Sequence, residues 1–151
     1  MIRGVLFKIP QLTTNTLGKI FNAVDVNRYY WCVIQSQTET WNNSLEDDLF
    51  ARKCYTGEEF SKCIQSNHYI VFLKLQAYCT YSDFENISEY DAYMKSDCQL
   101  ILLVYDCEYV ELYSKDHSII NSVYQRAVTN AYSEIEFIID SIDGRKKMDI
   151  L

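Results

Sequence analysis

Glycine is scarce in this chain, and its scarcity excludes the common phosphate-binding loops. Only four glycines occur among 151 residues, and they are far apart in the sequence. A P-loop or a dinucleotide-binding turn needs clustered glycines, because a side chain there would keep the backbone N–H groups away from the phosphate. No such cluster can be formed from Gly4, Gly18, Gly57 and Gly144. Nucleotide-binding sites of these two kinds are therefore not expected.

Closely spaced cysteines are also missing, which argues against a structural zinc site. Zinc-binding loops usually supply two thiolates about two to four positions apart. No two of the six cysteines here lie closer than nine positions: they are Cys32, Cys54, Cys63, Cys79, Cys98 and Cys107. A chain of this length can bury a core without disulfides, so we expect reduced thiols. Neither a metal nor any other cofactor is predicted.

Histidine is nearly absent, and neither of the two histidines stands in a recognisable catalytic context. A cysteine nucleophile requires a nearby imidazole that is itself oriented by a third group. No such arrangement can be recognised around His68 or His117. Closely spaced carboxylates, including Glu134 with Glu136, are interpreted as solvated charges rather than as an acid–base pair. No catalytic residue is therefore predicted.

Basic residues are too few for a typical nucleic-acid-binding protein, and long apolar runs are too few for a membrane-spanning one. Fourteen lysines and arginines against 21 acidic residues give a net charge of −7, whereas nucleic-acid-binding proteins normally present a basic face. No stretch approaches the roughly eighteen apolar residues of a membrane span. The N-terminal residues also lack the pattern of a secretion signal. We expect a cytoplasmic protein that binds neither nucleic acid nor membranes.

Aromatic residues, in contrast, are abundant. Thirteen tyrosines, seven phenylalanines and two tryptophans are present, and 48% of all residues are hydrophobic. Such rings usually fill a sheet core while the tyrosine hydroxyls reach its rim. No internal repeat or proline-rich linker interrupts the chain. The prediction is one α+β domain over residues 1–151.

Residues 97–140 carry the clearest succession of structural signals. An apolar run from Leu100 to Tyr105 and an alternating run from Tyr109 to Tyr113 flank a three-residue turn, which predicts a hairpin. A capped amphipathic stretch, Ser118 to Ala131, predicts a helix, and the β-branched run Ile135 to Ile139 predicts a final strand. The cap of this helix is predicted at Asp116 or Ser118.

The rest of the chain adds strands and short helices. Thr13 is predicted to cap a helix whose buried face holds Leu17, Ile20, Phe21 and Val24, with Leu12 and Leu17 packing together around the cap. The other predicted elements are strands over 4–9, Tyr29–Gln35 and Tyr69–Ala77, helices over Gly57–Gln65 and, capped by Ser88, Glu89–Lys95, and a turn at Asp143 and Gly144.

This order of elements favours an α+β fold. We expect a largely antiparallel, twisted sheet with helices packed mainly on one face, ending in a strand–hairpin–strand–helix–strand unit. The run from Leu100 to Val104 is apolar at every position. Its strand is therefore expected to be covered on both faces or to lie at the centre of the sheet.

Two acidic, tyrosine-bearing stretches, residues 83–97 and 106–116, flank this central strand. Tyrosines supply stiff contact area, and carboxylates attract and orient a basic partner. We therefore predict a protein-binding surface, here called the acidic–tyrosine face, that suits an inhibitor or adaptor; the alternative is an ordinary solvated surface. Its predicted residues are Tyr90, Asp91, Tyr93, Asp106, Glu108, Tyr109, Glu111 and Tyr113.

Two other functions stay open at this point. One is a small enzyme or ligand-binding domain with an aromatic pocket, in which Cys79 or His68 would carry any chemistry. The other is a structural homo-oligomer. The residues of the alternative pocket would be Trp31, Trp41, His68, Tyr78 and Cys79.

Several stretches together resemble a known family. They include Phe7 to Pro10, the pair Tyr30 and Trp31, Tyr69 to Tyr78 (YIVFLKLQAY) and Lys95 to Tyr105 (KSDCQLILLVY). The chain is similar to a family of short proteins from spore-forming Gram-positive bacteria and their mobile elements, classed as a domain of unknown function. The resemblance covers almost the whole chain and concerns strand cores and junctions. It implies a shared fold and no catalytic residue.

Overall fold

One antiparallel sheet organises the part of the chain that the computed structural model describes, which is residues 1–81, 84–140 and 147–150. Within these residues eight strands are present: β1 (Ile2–Lys8), β2 (Tyr30–Val33), β3 (Glu39–Asn42), β4 (Cys54–Tyr55), β5 (His68–Tyr78), β6 (Cys98–Tyr105), β7 (Tyr109–Ser114) and β8 (Ser133–Ile139). Seven of them follow the order β4-β2-β5-β6-β7-β1-β8, and β3 pairs with the first half of β5. The predicted α+β fold with a largely antiparallel sheet is confirmed.

Helices cover the two faces of this sheet unequally. In the described ranges they are α1 (Thr16–Ile20), α2 (Gly57–Gln65), α3 (Tyr90–Lys95) and α4 (His117–Thr129). Residues of α1, α2 and α4 pack on the first face, which carries Val5 and Leu102. Tyr93 of α3 packs on the opposite, second face, with Ile101 and Tyr113. The prediction of helices mainly on one face is confirmed.

Strand β6 lies inside the sheet and is buried on both of its faces. Every residue from Leu100 to Val104 has 0% of its surface exposed. Leu100, Leu102 and Val104 belong to the first-face core, whereas Ile101 and Leu103 belong to the second-face core. The expectation of a two-sided central strand, read from a run with no polar residue, is therefore confirmed.

Helix α2 has the predicted bounds, and a capping box forms its N-terminus. Thr56 accepts a hydrogen bond from the backbone N–H of Glu59, and the Glu59 carboxylate accepts one from the N–H of Thr56. This capping box satisfies two N–H groups that the first turn cannot pair internally. The hydrogen bond from Thr56 and the Arg52 guanidinium 2.7 Å away lower the pKa of Glu59 to about 2.

The predicted start of the first helix is wrong. Thr13 does not cap it: α1 begins at Thr16, and Leu12 is 56% exposed instead of packing around the cap. Thr14 forms a β-bridge with His68, and their backbone hydrogen bonds run in both directions. This long-range pairing holds the preceding chain extended and overrides the local capping signal.

Other differences from the predicted elements are small. Phe21 and Val24 are buried as expected but lie beyond the end of α1. Glu89 rather than Ser88 precedes α3, and Asp116 caps α4 by accepting a hydrogen bond from the N–H of Ser118 at 2.9 Å. The predicted turn at Asp143 and Gly144 and the first acidic residue of the 83–97 stretch, Asp83, lie outside the described residues. Among the described ranges, no helix has the length and apolarity needed to span a bilayer.

The second face buries a lysine as well as apolar side chains. Lys74 on β5 is fully buried, donates to the carbonyl of Ile87 and lies 3.0 Å from the Asp149 carboxylate. Asn86 and Gln37 donate to the same carboxylate oxygen at 3.0 and 2.8 Å. Burial opposes ionisation of Asp149, but these donors outweigh it and hold its pKa below the usual value. The chain around Asp149 is thereby fastened to the second face.

Removing this carboxylate should cost more than the loss of an ordinary contact. We expect Asp149→Ala to lower the free energy of unfolding by about 3 kcal/mol, because the buried ammonium loses its counter-charge. Adding Lys74→Met should recover part of that loss, since the buried charge is then gone. Urea unfolding of both single variants and the double variant measures this coupling, and strictly additive losses would contradict it.

Candidate functional site

The acidic–tyrosine face follows the β6–β7 hairpin and α3 on the second face of the sheet. Asp91 and Asp106 are exposed, and Tyr109 is 36% exposed. Tyr90 and Glu108 are half-buried. These five residues are accessible to a partner, and they stand at two ends of the second face rather than in one cluster.

The other three predicted residues are buried. Tyr93 is 0%, Glu111 6% and Tyr113 2% exposed. The hydroxyl of Tyr93 donates to the carbonyl of Gln99 at 2.9 Å, and burial raises the pKa of Tyr93 well above its usual value. Their predicted presentation to solvent is wrong, because the second face is covered. Glu111 and Tyr113 point into it from alternate positions of β7, and Tyr93 packs on it from α3.

Glu111 lies at the centre of a buried polar cluster. Its two carboxylate oxygens accept hydrogen bonds from the hydroxyls of Tyr105 and Tyr113, both at 2.6 Å. The Tyr113 ring is 6.2 Å from that of Tyr90, and the Arg3 guanidinium lies 4.0 Å from the centre of the Tyr90 ring. Bonds of this kind hold a tyrosine in one orientation. The Tyr105 ring is thereby held as a wall of the neighbouring cavity.

A cavity of about 250 Å³ opens beside this cluster, over strands β6, β7, β1 and β8. The rings of Tyr105 and Tyr109 stack with centroids 5.5 Å apart. Leu6, which pairs with both Glu111 and Glu136 across the sheet, lies between the carboxylate-bearing strands. The side chains that line the cavity include Leu6, Lys8, Tyr105, Tyr109, Glu134 and Glu136.

The two glutamates of β8 are the functional candidates that the sequence analysis did not select. Their spacing of two positions at the start of the predicted strand was a usable signal, since such residues tend to share one face. A β-bulge next to them changes the register between Leu6 and Lys8, and Glu134 adopts a left-handed backbone with φ of 54°. Bulges re-aim side chains at strand edges. Both carboxylates line the cavity in consequence.

Lys8 is the one basic group among the residues that line this cavity, and a neighbouring carboxylate engages it. Its ammonium is 3.3 Å from Glu108 and 5.7 Å from the centre of the Tyr109 ring. The hydrogen bond with Glu108 raises the pKa of Lys8. The hydrogen bond from Gln11 lowers the pKa of Glu108, and the hydrogen bond from Lys8 lowers it further by a smaller amount. Glu134 and Glu136 have no ion pair within the described residues.

This arrangement suits recognition of a cation. Ring faces attract an ammonium or guanidinium group, and carboxylates beside them add charge attraction and orientation. No cysteine, serine or histidine lines the cavity.

A second, larger cleft of about 500 Å³ lies beside α3 and carries further acidic residues. It is lined by residues that include Tyr78, Glu85, Glu89 and Asp97. Acidic groups therefore border the second face at both ends.

The five residues of the alternative aromatic pocket are not brought together. Trp31 is fully buried in the first-face core, where its ring stacks on Phe60 at 4.1 Å. Tyr78 belongs to the second-face core. Trp41 lies on β3, and Cys79 is exposed just after β5. Because Trp31 and Tyr78 belong to opposite faces of the sheet, these side chains do not line a common pocket.

His68, the remaining member of that set, has a structural role. Its ring is fully buried, with Nδ1 2.8 Å from the carbonyl of Ser66, while Nε2 accepts the backbone N–H of Leu17 at 3.2 Å. This pattern requires a neutral imidazole that donates from Nδ1. Burial lowers the pKa of His68, although the Ser66 hydrogen bond acts in the other direction. The imidazole thus serves α1 as a cap.

Metal-binding clusters are not found in the described part of the chain, where no three histidine, cysteine or acidic residues are grouped to hold an ion. All six cysteines are free thiols, and Cys32 and Cys98 are buried. Burial raises the pKa of Cys32 to about 12 and that of Cys98 to about 11. Neither thiol therefore forms the reactive thiolate at neutral pH.

Comparisons with known proteins concern the family and not the activity. A family model described as "Protein of unknown function (DUF2691)" matches residues 2–149. The "Uncharacterized protein YncE" of Bacillus subtilis (strain 168) is 29% identical over 153 residues, which cover 99% of this chain and 100% of that protein. Its source fits the expected link to spore-forming Gram-positive bacteria. No solved structure matches this chain.

The buried imidazole predicts a pH dependence of stability. Because the folded-state pKa of His68 is lowered, the unfolded chain binds its proton first as pH falls. Stability should therefore decrease below about pH 6.5, with a slope of at most about 1.4 kcal/mol per pH unit. Urea unfolding between pH 7.5 and 5 measures this slope. The slope should be shallower in His68→Gln than in the wild type. His117→Gln, at an exposed position, is the matched control and should keep the wild-type slope. Equal slopes in His68→Gln and the wild type would show that His68 is not the group responsible.

The left-handed backbone of Glu134 predicts opposite effects for two similar substitutions. Glu134→Gly should raise the free energy of unfolding by about 0.5 kcal/mol, because relief of steric strain exceeds the entropy that glycine adds to the unfolded chain. Glu136→Gly, in extended backbone of the same strand, should lower it by about 0.5–1 kcal/mol. Thermal or urea unfolding of both variants tests this, and a loss of stability in both would contradict it.

Proposed function

We propose, on the premise that this chain belongs to the DUF2691 family, that it is a non-enzymatic protein-binding domain. It docks a basic partner surface through the exposed part of the acidic–tyrosine face and the cavity beside it. The single observation that carries this proposal is the cavity in which the Tyr105 and Tyr109 rings adjoin Glu134 and Glu136. Rings and carboxylates in one concave site match the chemistry of lysine and arginine side chains.

The charge around the cavity supports a basic partner. Asp106 is exposed in the β6–β7 turn, and the half-buried Glu108 pairs with Lys8 of the cavity lining. Together with Glu134 and Glu136 these acids outnumber Lys8, in a chain whose net charge is −7. An excess of one charge around a binding site speeds encounter with an oppositely charged partner and excludes partners of the same charge.

Rigidity of the site supports specific rather than diffuse binding. The Tyr105 hydroxyl is held by the buried Glu111 carboxylate, and Tyr109 pairs with Tyr105 across the hairpin. The turn between them is closed by the hydrogen bond from the N–H of Glu108 to the carbonyl of Tyr105 at 3.2 Å. Preorganised aromatic contacts lose little entropy on binding.

The proposed setting is the cytoplasm, where free thiols such as those of this chain stay reduced, and the proposed acting unit is a single α+β domain. The association with mobile elements that the sequence resemblance implies favours an inhibitor that covers a basic active site, for example that of a nuclease or a defence enzyme. An adaptor that bridges a basic protein to another component uses the same surface.

Affinity capture with a matched pair of triple variants tests the proposal. The test variant carries Asp106→Asn, Glu108→Gln and Tyr109→Ala. The control carries Asp47→Asn, Asp48→Asn and Tyr81→Ala, which alters two exposed acids and an exposed tyrosine elsewhere. From a Bacillus subtilis lysate at low salt, we expect the wild type and the control to retain a basic protein that the test variant loses at least about tenfold.

Two results would overturn the proposal. One is equal recovery of every partner by the test and control variants, which would remove this face from the interface. The other is recovery of no basic protein by the folded wild type. Circular dichroism of each variant confirms that the fold is intact. Raising the salt concentration should weaken specific capture, because charge attraction is screened.

A further inference from the structure

In the described part of the chain, strand β8 is an edge strand of the sheet. It is last in the strand order, seven residues long, and pairs only with β1 within the described residues. Its other side therefore presents backbone N–H and C=O groups that no described strand pairs. Such an edge is a template for an added strand. The opposite edge strand, β4, has only two residues and offers no comparable length.

The exposed and half-buried side chains of β8 differ between the two faces, whereas Ile138 is buried in the second-face core. Ile135 and Phe137 pack on the first-face core, and the Phe137 ring stacks on Tyr124 at 4.4 Å. Glu134 and Glu136 are exposed and line the cavity of the second face. A strand added to this edge would meet apolar side chains on the first face. On the second face it would meet the carboxylates of Glu134 and Glu136, with Ile138 buried beyond them.

This pattern disfavours a second copy of the chain as the added strand. Antiparallel pairing of two β8 strands about their midpoint would set the two Glu136 carboxylates opposite each other, which is destabilising. The bulge at Glu134 also bends the edge, a device that limits self-association. A strand with basic side chains at alternate positions would instead place positive charges opposite the Glu134 and Glu136 carboxylates, and these would attract.

We infer that the β8 edge binds an extended segment of a basic protein by strand addition, with alternate lysine or arginine side chains facing Glu134 and Glu136. One of these cationic side chains enters the cavity between the Tyr105 and Tyr109 rings and the two carboxylates. Main-chain hydrogen bonds to β8 provide an affinity that increases with the length of the bound segment. The two carboxylates select segments with basic side chains. This inference rests on the proposed function and names the partner of that same site.

A fluorescent peptide of alternating lysine and valine, matched in length to β8, is the probe. Fluorescence anisotropy should show saturable binding to the wild type. Glu134→Lys with Glu136→Lys should weaken it by at least about tenfold, whereas the control Asp47→Lys with Asp48→Lys, at the far end of the sheet, should leave the affinity within about twofold. Backbone amides of β8 should gain hydrogen-exchange protection in the complex, as strand pairing requires.

Peptide variants separate strand addition from plain charge attraction. A version N-methylated at alternate residues keeps its charges but loses backbone donors, and it should bind at least about tenfold more weakly; a glutamate–valine version should not bind. Equal binding of the methylated peptide, or unchanged exchange in β8, would overturn the inference. The proposed function would survive either of these results if the variant with Asp106→Asn, Glu108→Gln and Tyr109→Ala still lost its partner in the capture experiment. Only the capture experiment can overturn the proposed function itself.

Discussion

Burial of strand β6 on both faces is the constraint on which the rest of the structure depends. A strand without a polar side chain from Leu100 to Val104 needs two apolar covers. The first face obtains its cover from α1, α2 and α4. The second face has fewer helical residues, and its cover comes from α3, the chain near Phe84 and the chain near Met148. Both covers are needed for one strand to remain out of water.

The second cover is more polar than the first, and its buried polar groups are paired with one another or with backbone carbonyls. Lys74 reaches Asp149, Gln76 donates to the carbonyl of Glu85, and Glu111 accepts from two tyrosines. Buried groups of this kind specify one arrangement, because any shift leaves a donor or a charge unsatisfied. The Glu111 carboxylate, which is part of this core, also holds the Tyr105 wall of the cavity. Packing of the second core therefore determines the geometry of the candidate site.

Sequence reasoning predicted what local patterns encode. The bounds of α2, the cap of α4 (predicted at Asp116 or Ser118) and the two-sided burial of β6 each follow from residues close together in the chain. The failures depend on distant pairing. The Thr14 bridge to His68 displaced the start of α1, and coverage of the second face buried Glu111, which looked like a surface carboxylate. Glu134 was interpreted as a solvated charge, because its direction is set by a bulge in the pairing of β8 with β1.

The position of β1 has a consequence for the route by which this chain folds. Gly4 pairs with Tyr113 and also with Ile138, so the first strand inserts between two strands that lie more than a hundred positions later. Closing so large a loop is entropically expensive, and topologies dominated by such contacts fold slowly. The β5–β6–β7 meander is local by comparison and can assemble first. Until β7 and β8 are in place, the apolar strand β1 has no pairing partner. Intermediates with such an exposed apolar strand are prone to aggregate and are the kind of species that chaperones bind.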